Sequence, residues 1–251
     1  MTTMKDEKKE ISRRDLLVGA GKVAAGAAIV SVGASGLIRP GKTQASQFPW
    51  GYKKLDLQEV GDIAYNAWYG KFCCQAVVEG LLKPLQKSIG EPYASLPLDA
   101  FKWGHGGAVG WGTLCGTMTG AGIATGFIAG PEGEKILNDV IAYYANTELP
   151  IYKPANPKGS FKNVNQSDSP LCHISVGKWM EKEGVKFFSP ERKERCARIS
   201  ADVAMYTARL LNDWADGKYK PAHGSNLKDN GITTQENCME CHGDNVPTPI
   251  T

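Results

Sequence analysis

Residues 57–89 read LQEVGDIAYNAWYGKFCCQAVVEGLLKPLQKSI and carry apolar side chains at helical spacing over two stretches, 57–70 and 71–89. In each stretch the apolar residues fall on one helical face, which predicts two helices packed on a core. Pro84 is expected to kink or end the second helix, because proline cannot donate the helical backbone hydrogen bond.

The rest of the chain continues the helical pattern. Gly130 and Pro131 form a start signal for one further helix. Residues 150–170 contain four prolines among Asn, Ser and Lys, and they predict a long surface loop. No alternating strand pattern is convincing, so we predict an all-α fold. Helices are expected at residues 117–128, 132–144, 171–182 and 190–215.

The N-terminus has the layout of an export signal. A charged segment, residues 1–14, precedes an apolar run rich in Gly and Ala. The adjacent Arg13 and Arg14 stand where the twin-arginine export route reads them. An N-terminal membrane helix is the alternative, but five glycines interrupt the run. We therefore predict a signal peptide over residues 1–45 and a periplasmic mature protein.

Charge and hydropathy exclude two classes of partner. Residues 1–45 hold eight Lys and Arg and four Asp and Glu, so the formal net charge falls from +3 to −1 without them. The slight basicity belongs to the signal, and we expect no binding to nucleic acid or to anionic membranes. No later segment is long and apolar enough to predict a membrane span in the mature form.

The C-terminal segment, residues 217–251, carries the pattern Cys-Met-Glu-Cys-His. Cys238 and Cys241 can form thioethers to both haem vinyl groups while His242 binds the iron. A zinc knuckle would need two further ligands close by, and a dithiol oxidoreductase motif would sit at a helix start beside a strand. We predict one covalently attached haem c per chain.

Three further histidines compete for the other axial position of the haem iron. His223 is favoured because it lies in the same loop-rich segment as the haem motif, ahead of His105 and His173. A methionine such as Met239, or an open position, is the alternative. Two imidazoles make an iron that transfers electrons and binds no substrate, whereas an open position permits chemistry on small molecules.

Five more cysteines lie in the body of the chain, at Cys73, Cys74, Cys115, Cys172 and Cys196. Cys115 stands near the end of a glycine-rich stretch, residues 104–116. This stretch has neither a dinucleotide fingerprint nor a P-loop, and it predicts a tight helix crossing or a cluster-binding turn.

These cysteine segments resemble a known family. FCCQAV at residues 72–77, LCGTMTGA at 114–121, Leu171 with Cys172, and Cys196 on a helix resemble the redox-active C_GCAxxG_C_C family. With the C-terminal haem motif, residues 57–245 resemble the split-Soret cytochromes c of sulfate-reducing bacteria. The resemblance implies a homodimer with its haems crowded at one end, bis-histidine ligation in which one histidine comes from the partner subunit, and an iron–sulfur centre.

Carried over by position, the family cysteines fall on Cys73, Cys115, Cys172 and Cys196, and a [2Fe–2S] or [4Fe–4S] cluster requires four thiolates. Cys74 stands where the family usually has a small residue, and it is an alternative ligand to Cys73. One or two disulfides are the competing interpretation in an oxidising compartment.

The split-Soret resemblance also implies a second haem in each chain. The sequence departs from that pattern, because Ser169 stands where a motif ending in Cys172 and His173 would need its first cysteine. One haem per chain is therefore the prediction.

Together these features predict a periplasmic electron carrier that exchanges electrons with redox protein partners. Its iron–sulfur centre would lie in residues 46–216 and its haem in residues 217–251. One rival is a haem reductase of a small nitrogen or sulfur oxide, and the other is a thiol-based redox sensor.

Acidic residues expected on solvated helical faces are Glu181, Glu183, Glu191 and Glu194, and tryptophans expected in the core are Trp103, Trp111, Trp179 and Trp214.

Overall fold

The computed structural model describes residues 48–224, which form five α-helices joined by irregular segments and short 3₁₀ turns. The helices are α1 (Leu57–Ser88), α2 (Gly116–Ala129), α3 (Gly133–Asn146), α4 (Cys172–Glu183) and α5 (Pro190–Ala215), and the 3₁₀ turns are Tyr93–Ser95, Leu98–Gly104 and Gly130–Glu132. Strand-like pairing in this range is limited to two isolated β-bridges, so the all-α prediction is confirmed. None of these helices has the length and hydropathy that a bilayer crossing requires.

The first helix is interrupted at Phe72, whose φ of 62° and ψ of −177° are not helical. The two predicted helices are therefore halves of one element, residues 57–71 and 73–88. A positive φ is unfavourable for a bulky residue, so its surroundings must hold it. The ring of Phe72 packs against Trp68 and His105, with centroid separations of 5.9 and 5.1 Å. Pro84 does not end the helix, which continues to Ser88.

The fifth helix begins where its sequence predicts. The Ser189 hydroxyl accepts a hydrogen bond from the backbone N–H of Arg192 at 3.2 Å, and Pro190 takes the first position, where no donor is needed. One face of α5 is buried along most of its length and packs against α1, and α2 and α3 complete the core. Fully buried members of this core include Val77, Leu81, Met118, Ile136, Val140, Val203 and Leu211.

Glycines allow α2 to cross α1 at very short range. A Cβ added to Gly120 would lie 2.5 Å from the carbonyl oxygen of Cys74, and one added to Gly116 would lie 2.6 Å from the Sγ of Cys73. Real Cβ atoms do not approach other atoms so closely, because repulsion would force the helices apart. The glycine-rich stretch thus leads into the tight helix crossing that its composition predicts.

Carboxylates on the helices hold the long proline-rich segment. Asp202 on α5 accepts hydrogen bonds from the backbone N–H groups of Ile151 and Tyr152, at 2.9 and 2.8 Å. Glu183 at the end of α4 accepts hydrogen bonds from two more backbone N–H groups of the segment, at 2.8 Å each. The segment is irregular, as predicted, but its backbone is anchored at both ends.

Glu194 contradicts the expectation of a solvated helical face. Its side chain is fully buried and accepts hydrogen bonds from the hydroxyls of Tyr65, at 2.9 Å, and of Tyr69. It also forms an ion pair with Arg198, 2.6 Å between Nε and Oε1. A helical charge can be placed inside when partners from other elements satisfy every lone pair. Glu181, by contrast, is exposed as expected.

The four tryptophans divide between core and surface. Trp179 is fully buried and Trp214 is half-buried, as expected. Trp103 and Trp111 are 52% and 80% exposed, so the expectation of core packing is wrong for both. They flank the turns of the glycine-rich stretch, which carry these side chains outward.

We expect Gly120→Ala to lower the free energy of unfolding by about 1–3 kcal/mol, because its Cβ meets backbone at the α1–α2 crossing. Gly126→Ala is the matched control on the same helix, since its added Cβ meets nothing within 4 Å. That change should raise stability by up to about 1 kcal/mol through helix propensity. Urea denaturation of the mature protein measures both, and equal effects of the two variants would contradict the tight crossing.

Candidate metal centre

A cavity of about 600 Å³ opens beside the break in α1. Cysteines from four separate parts of the fold line it: Cys73 just after the break, Cys115 before α2, Cys172 at the start of α4, and Cys196 on α5. These are the positions to which the family resemblance assigns a cluster. The fold therefore brings side chains spread over residues 73–196 to one place.

Cys74 does not line this cavity. Its side chain is fully buried, and its Sγ lies so close to Gly104 that a Cβ added there would be 2.6 Å away. Burial raises the pKa of Cys74 to about 12, which keeps the thiol protonated at neutral pH. Cys74 thus packs in the α1–α2 crossing, and the structure places Cys73 at the cavity instead.

A short backbone pairing sets Cys115 beside Cys172. Leu114 and Leu171 form an antiparallel bridge. Around it, the backbone N–H of Cys115 donates to the carbonyl oxygen of Pro170 at 2.9 Å, and that of Cys172 donates to Thr113 at 2.8 Å. Since each cysteine stands at the start of its helix, the bridge brings two helix N-termini together at the cavity.

The surroundings of Cys115 lower the pKa of its thiol. Its neighbours lower this pKa to about 6, although burial acts in the opposite direction. The largest cause is a hydrogen bond from the Cys172 thiol. The Thr117 hydroxyl, 3.3 Å from the sulfur, and Tyr144 also contribute. The same hydrogen bond raises the pKa of Cys172, which retains the shared proton. The shared hydrogen bond thus acts in opposite directions on the two cysteines, lowering the pKa of Cys115 and raising that of Cys172.

Cys73 stands in a different environment. Burial raises its pKa, and the neighbouring Cys115 raises it further, although the backbone N–H of Gly106 donates a hydrogen bond to its sulfur. Cys73 begins the second half of α1, just as Cys115 and Cys172 stand at the starts of α2 and α4. Helix N-termini favour negative charge, which makes this cavity suited to thiolates.

The glycine-rich turns form one wall of the cavity. Five consecutive residues have positive φ, from 44° at Val109 to 89° at Gly110. Gly106 and Gly107 are required there, because a Cβ on Gly107 would lie 2.3 Å from the backbone nitrogen of Thr113. Gly106 and His105 line the cavity, and the backbone N–H of Gly106 is directed at the Cys73 sulfur.

The charged side chains of the cavity wall are all basic: Arg192, Lys193 and Arg195, with no Asp or Glu from the described residues among them. Arg195 is only 2% exposed. Its Nη2 donates to the carbonyl oxygen and hydroxyl of Ser175, at 3.1 and 3.0 Å, and its Nε has no hydrogen-bond partner. Within residues 48–224 this guanidinium forms no ion pair with a carboxylate, and an unpaired buried charge costs several kcal/mol.

The donor set fits a thiolate-bound iron centre. In the part of the chain that the structure describes, no three His, Cys, Asp or Glu side chains converge on a single ion, and the five cysteines form no disulfide. A cluster distributes its thiolates over several iron atoms, so its ligands lie further apart than those of one ion. Four thiols beside a buried cation that has no carboxylate partner within residues 48–224 match an anionic group of that kind.

His223 lies exposed on a C-terminal segment that α3 holds in place. The buried carboxylate of Asp139 accepts hydrogen bonds from the Tyr219 hydroxyl and from the backbone N–H groups of Ala222 and His223, at 2.9, 3.0 and 3.1 Å. The Asn138 side chain donates to the His223 carbonyl oxygen at 3.3 Å. The backbone of residue 223 is thereby fixed while its imidazole faces outward.

The other candidate axial ligands have different surroundings. His105 packs on Phe72 and lines the cavity with the cysteines, and His173 is exposed beside Gly112. The predicted haem attachment residues Cys238, Cys241 and His242 lie outside the described residues, as does the predicted signal segment 1–45.

The segment that carries these cysteines matches a known protein family. Residues 71–210 match the family described as "Putative redox-active protein (C_GCAxxG_C_C)", which is more than half of the chain. The chain belongs to this family. Membership in the C_GCAxxG_C_C family places it among redox-active proteins.

Within the family, a curated relative is the split-Soret cytochrome c of Desulfovibrio desulfuricans. It is 32% identical over 249 residues, which covers 92% of this chain and 87% of the relative. A solved structure of the split-Soret cytochrome c from this organism, titled for a novel iron centre, matches with a TM-score of 0.68 and 28% identity. The match covers 79% of this chain and 85% of that one, so the helical fold is shared.

Sequence reasoning missed two residues that organise the site. Arg195 was not singled out, although it directly precedes a family cysteine, and that adjacency was the available signal. Asp139 occupies a helical position that gives no hint of burial, because its partners Tyr219, Ala222 and His223 come from a segment 80 or more residues away.

We expect Asp139→Ala to loosen residues 219–223 while the helices stay folded, because three donors lose their acceptor. Each unpaired donor costs about 1–3 kcal/mol, so amide exchange in this segment should accelerate at least tenfold. Hydrogen exchange followed by mass spectrometry measures it, with Glu134→Ala on an exposed position of α3 as control. Unchanged protection in Asp139→Ala would mean that the carboxylate does not hold the segment.

Proposed function

We propose that this protein is a periplasmic c-type cytochrome that transfers electrons between redox protein partners. In this proposal one haem c is attached at Cys238 and Cys241 with His242 on the iron. A second iron centre, of iron–sulfur type, is held by Cys73, Cys115, Cys172 and Cys196. The observation that carries the proposal is the single cavity lined by these four family cysteines.

Several properties of the cavity support a second redox centre. The related split-Soret cytochrome c is described with a novel iron centre, and the present chain shares its family and fold. When bound, a thiolate-held iron centre accepts and releases single electrons. Here the pKa of Cys115 is lowered, whereas those of Cys73 and Cys172 are raised, so that iron binding would displace protons from the latter two thiols. Trp68 and Phe72 cover one side of the cavity and limit the access of water.

The haem part of the proposal depends on the C-terminal sequence motif. His223 is the proposed second axial ligand, either to the haem of its own chain or to that of the partner subunit in a homodimer. Its exposed imidazole on an anchored backbone is compatible with both arrangements. Two histidines would give a six-coordinate iron, which suits electron transfer and leaves no position for a substrate.

The proposed export route agrees with this assembly. The twin-arginine signal proposed for residues 1–45 serves proteins that fold before export. A centre held by four cysteines on separate helices could then be loaded in the cytoplasm. The haem would be attached afterwards, in the periplasm.

The deciding experiment counts iron, acid-labile sulfide and haem in anaerobically purified mature protein. We expect one haem per chain together with non-haem iron and sulfide. Single Cys→Ser substitutions at positions 73, 115, 172 and 196 should each remove most of the non-haem iron. Cys74→Ser should retain it, because Cys74 lies outside the cavity. Equal iron in all five variants would reject the proposed ligand set.

We expect His223→Ala to convert a low-spin haem into a high-spin one, because the iron would lose an axial imidazole. EPR and absorption spectra of the oxidised protein record the change. His173→Ala is the control, since His173 is an exposed histidine in another part of the chain. A low-spin haem in His223→Ala would assign the axial position to another residue, and a high-spin haem in the unaltered protein would favour a reductase.

One observation favours a second candidate function, a thiol-based redox sensor. Cys115 and Cys172 are hydrogen-bonded to each other, and the pKa of Cys115 is lowered to about 6. A disulfide-containing redox partner can oxidise such a pair: the two cysteines give up two electrons and their thiol protons, a Cys115–Cys172 disulfide forms, and the disulfide of the partner is reduced to two thiols. Absence of sulfide and of non-haem iron, with a reversible Cys115–Cys172 disulfide in mass spectra, would support this function over the cluster.

A further inference from the structure

We infer that Arg195 is the counter-charge of the iron centre and raises its reduction potential. The inference rests on the proposed function, because it assigns a role to a residue beside the proposed ligands. The observation behind it is a buried guanidinium that lines the thiol cavity and whose partners within residues 48–224 are all neutral: Ser175, Asn165 and the ring of Trp179.

The neighbouring arginine on the same helix shows what Arg195 lacks. Arg198 is less buried and has its own carboxylate, Glu194, at 2.6 Å. Arg195 is 2% exposed, and its side-chain acceptors in the described residues are Ser175 and Asn165, both neutral. A guanidinium keeps its positive charge under all physiological conditions. Burial without a negative partner is unfavourable, so the cavity that Arg195 lines is where the missing negative charge should lie.

Hydrogen bonds connect this charge to Tyr144, which lines the cavity together with Cys115. The Ser175 hydroxyl oxygen accepts from Nη2 of Arg195 at 3.0 Å and from the Tyr144 hydroxyl at 2.7 Å. Tyr144 gives its single hydroxyl proton to Ser175, and it lines the cavity together with Cys115. The positive charge is thus set at a fixed place behind a proposed ligand. Cys196, the next residue in the chain, is also a proposed ligand of the iron centre.

A fixed positive charge shifts a redox equilibrium in a definite direction. A thiolate-ligated cluster is anionic, and reduction by a one-electron donor adds one more negative charge without breaking a bond. The guanidinium therefore stabilises the reduced form more than the oxidised form, and the potential rises. The effect is strong because the site is buried and poorly screened. Arg192 and Lys193 add to the same field from more exposed positions.

The test compares three variants of the mature holoprotein by EPR-monitored redox titration with dithionite. Arg195→Gln should lower the equilibrium constant for reducing the non-haem centre at least tenfold, about 59 mV for one electron. Arg195→Lys should restore most of the potential, because it keeps the charge. Arg209→Gln removes the same charge from an exposed position on α5, about 21 Å further along the helix, and should have no effect.

The outcomes separate this inference from the proposed function. Arg195→Gln with full iron and an unchanged potential would overturn the counter-charge role and leave the iron centre intact. If the folded Gln variant loses iron that the Lys variant keeps, the need for positive charge is supported. Loss of iron from both variants, with normal circular dichroism, would overturn it in favour of the guanidinium shape. An unaltered protein without non-haem iron would refute the proposed centre itself, and the inference with it.

Discussion

The site depends on the close crossing of α2 over the break in α1. Gly116 and Gly120 remove the Cβ atoms that would keep the two helices apart, and the left-handed φ at Phe72 turns the chain so that Cys73 faces the cavity while Cys74 enters the crossing. On one continuous helix Cys73 and Cys74 would also project about 100° apart. Neither of them, however, would then stand at a helix N-terminus. The crossing therefore selects which sulfur lines the cavity and gives it a helix N-terminus.

Sequence patterns predicted the helices well, because helical periodicity is a local property. The bounds of α5 agree with the prediction, and the glycine-rich stretch was correctly associated with a tight crossing. Of the two outcomes predicted for Pro84, an end of the helix is wrong, because α1 continues to Ser88 and its packing against α5 outweighs the single lost hydrogen bond. The gathering of the four cysteines could be expected from family resemblance alone, because no periodicity links positions 73 and 196.

Long-range partners explain what the sequence did not reveal. The sequence around Glu194 is typical of a surface position, but Tyr65 and Tyr69 from α1 contact and bury its side chain. Asp139 is likewise buried by its contacts with the C-terminal segment. Trp111 is exposed because it follows a series of turns with positive φ. A valine, such as Val109, gives no sign in the sequence that its φ will be positive. For Glu194 and Asp139 the deciding contacts join residues far apart in sequence, and local patterns carry no information about them.

Glu194 and Arg195 are consecutive residues of α5 with opposite charges, and their side chains face different parts of the protein. The carboxylate faces the tyrosines of α1 and the long loop, whereas the guanidinium faces the thiol cavity. Successive residues of a helix project about 100° apart, so this division fixes the rotation of α5 about its own axis. An inserted or deleted residue ahead of this pair would swing the buried acid toward the sulfur atoms. The N-terminal half of α5 should therefore tolerate exchange of side chains on its outer face far better than any change in its length.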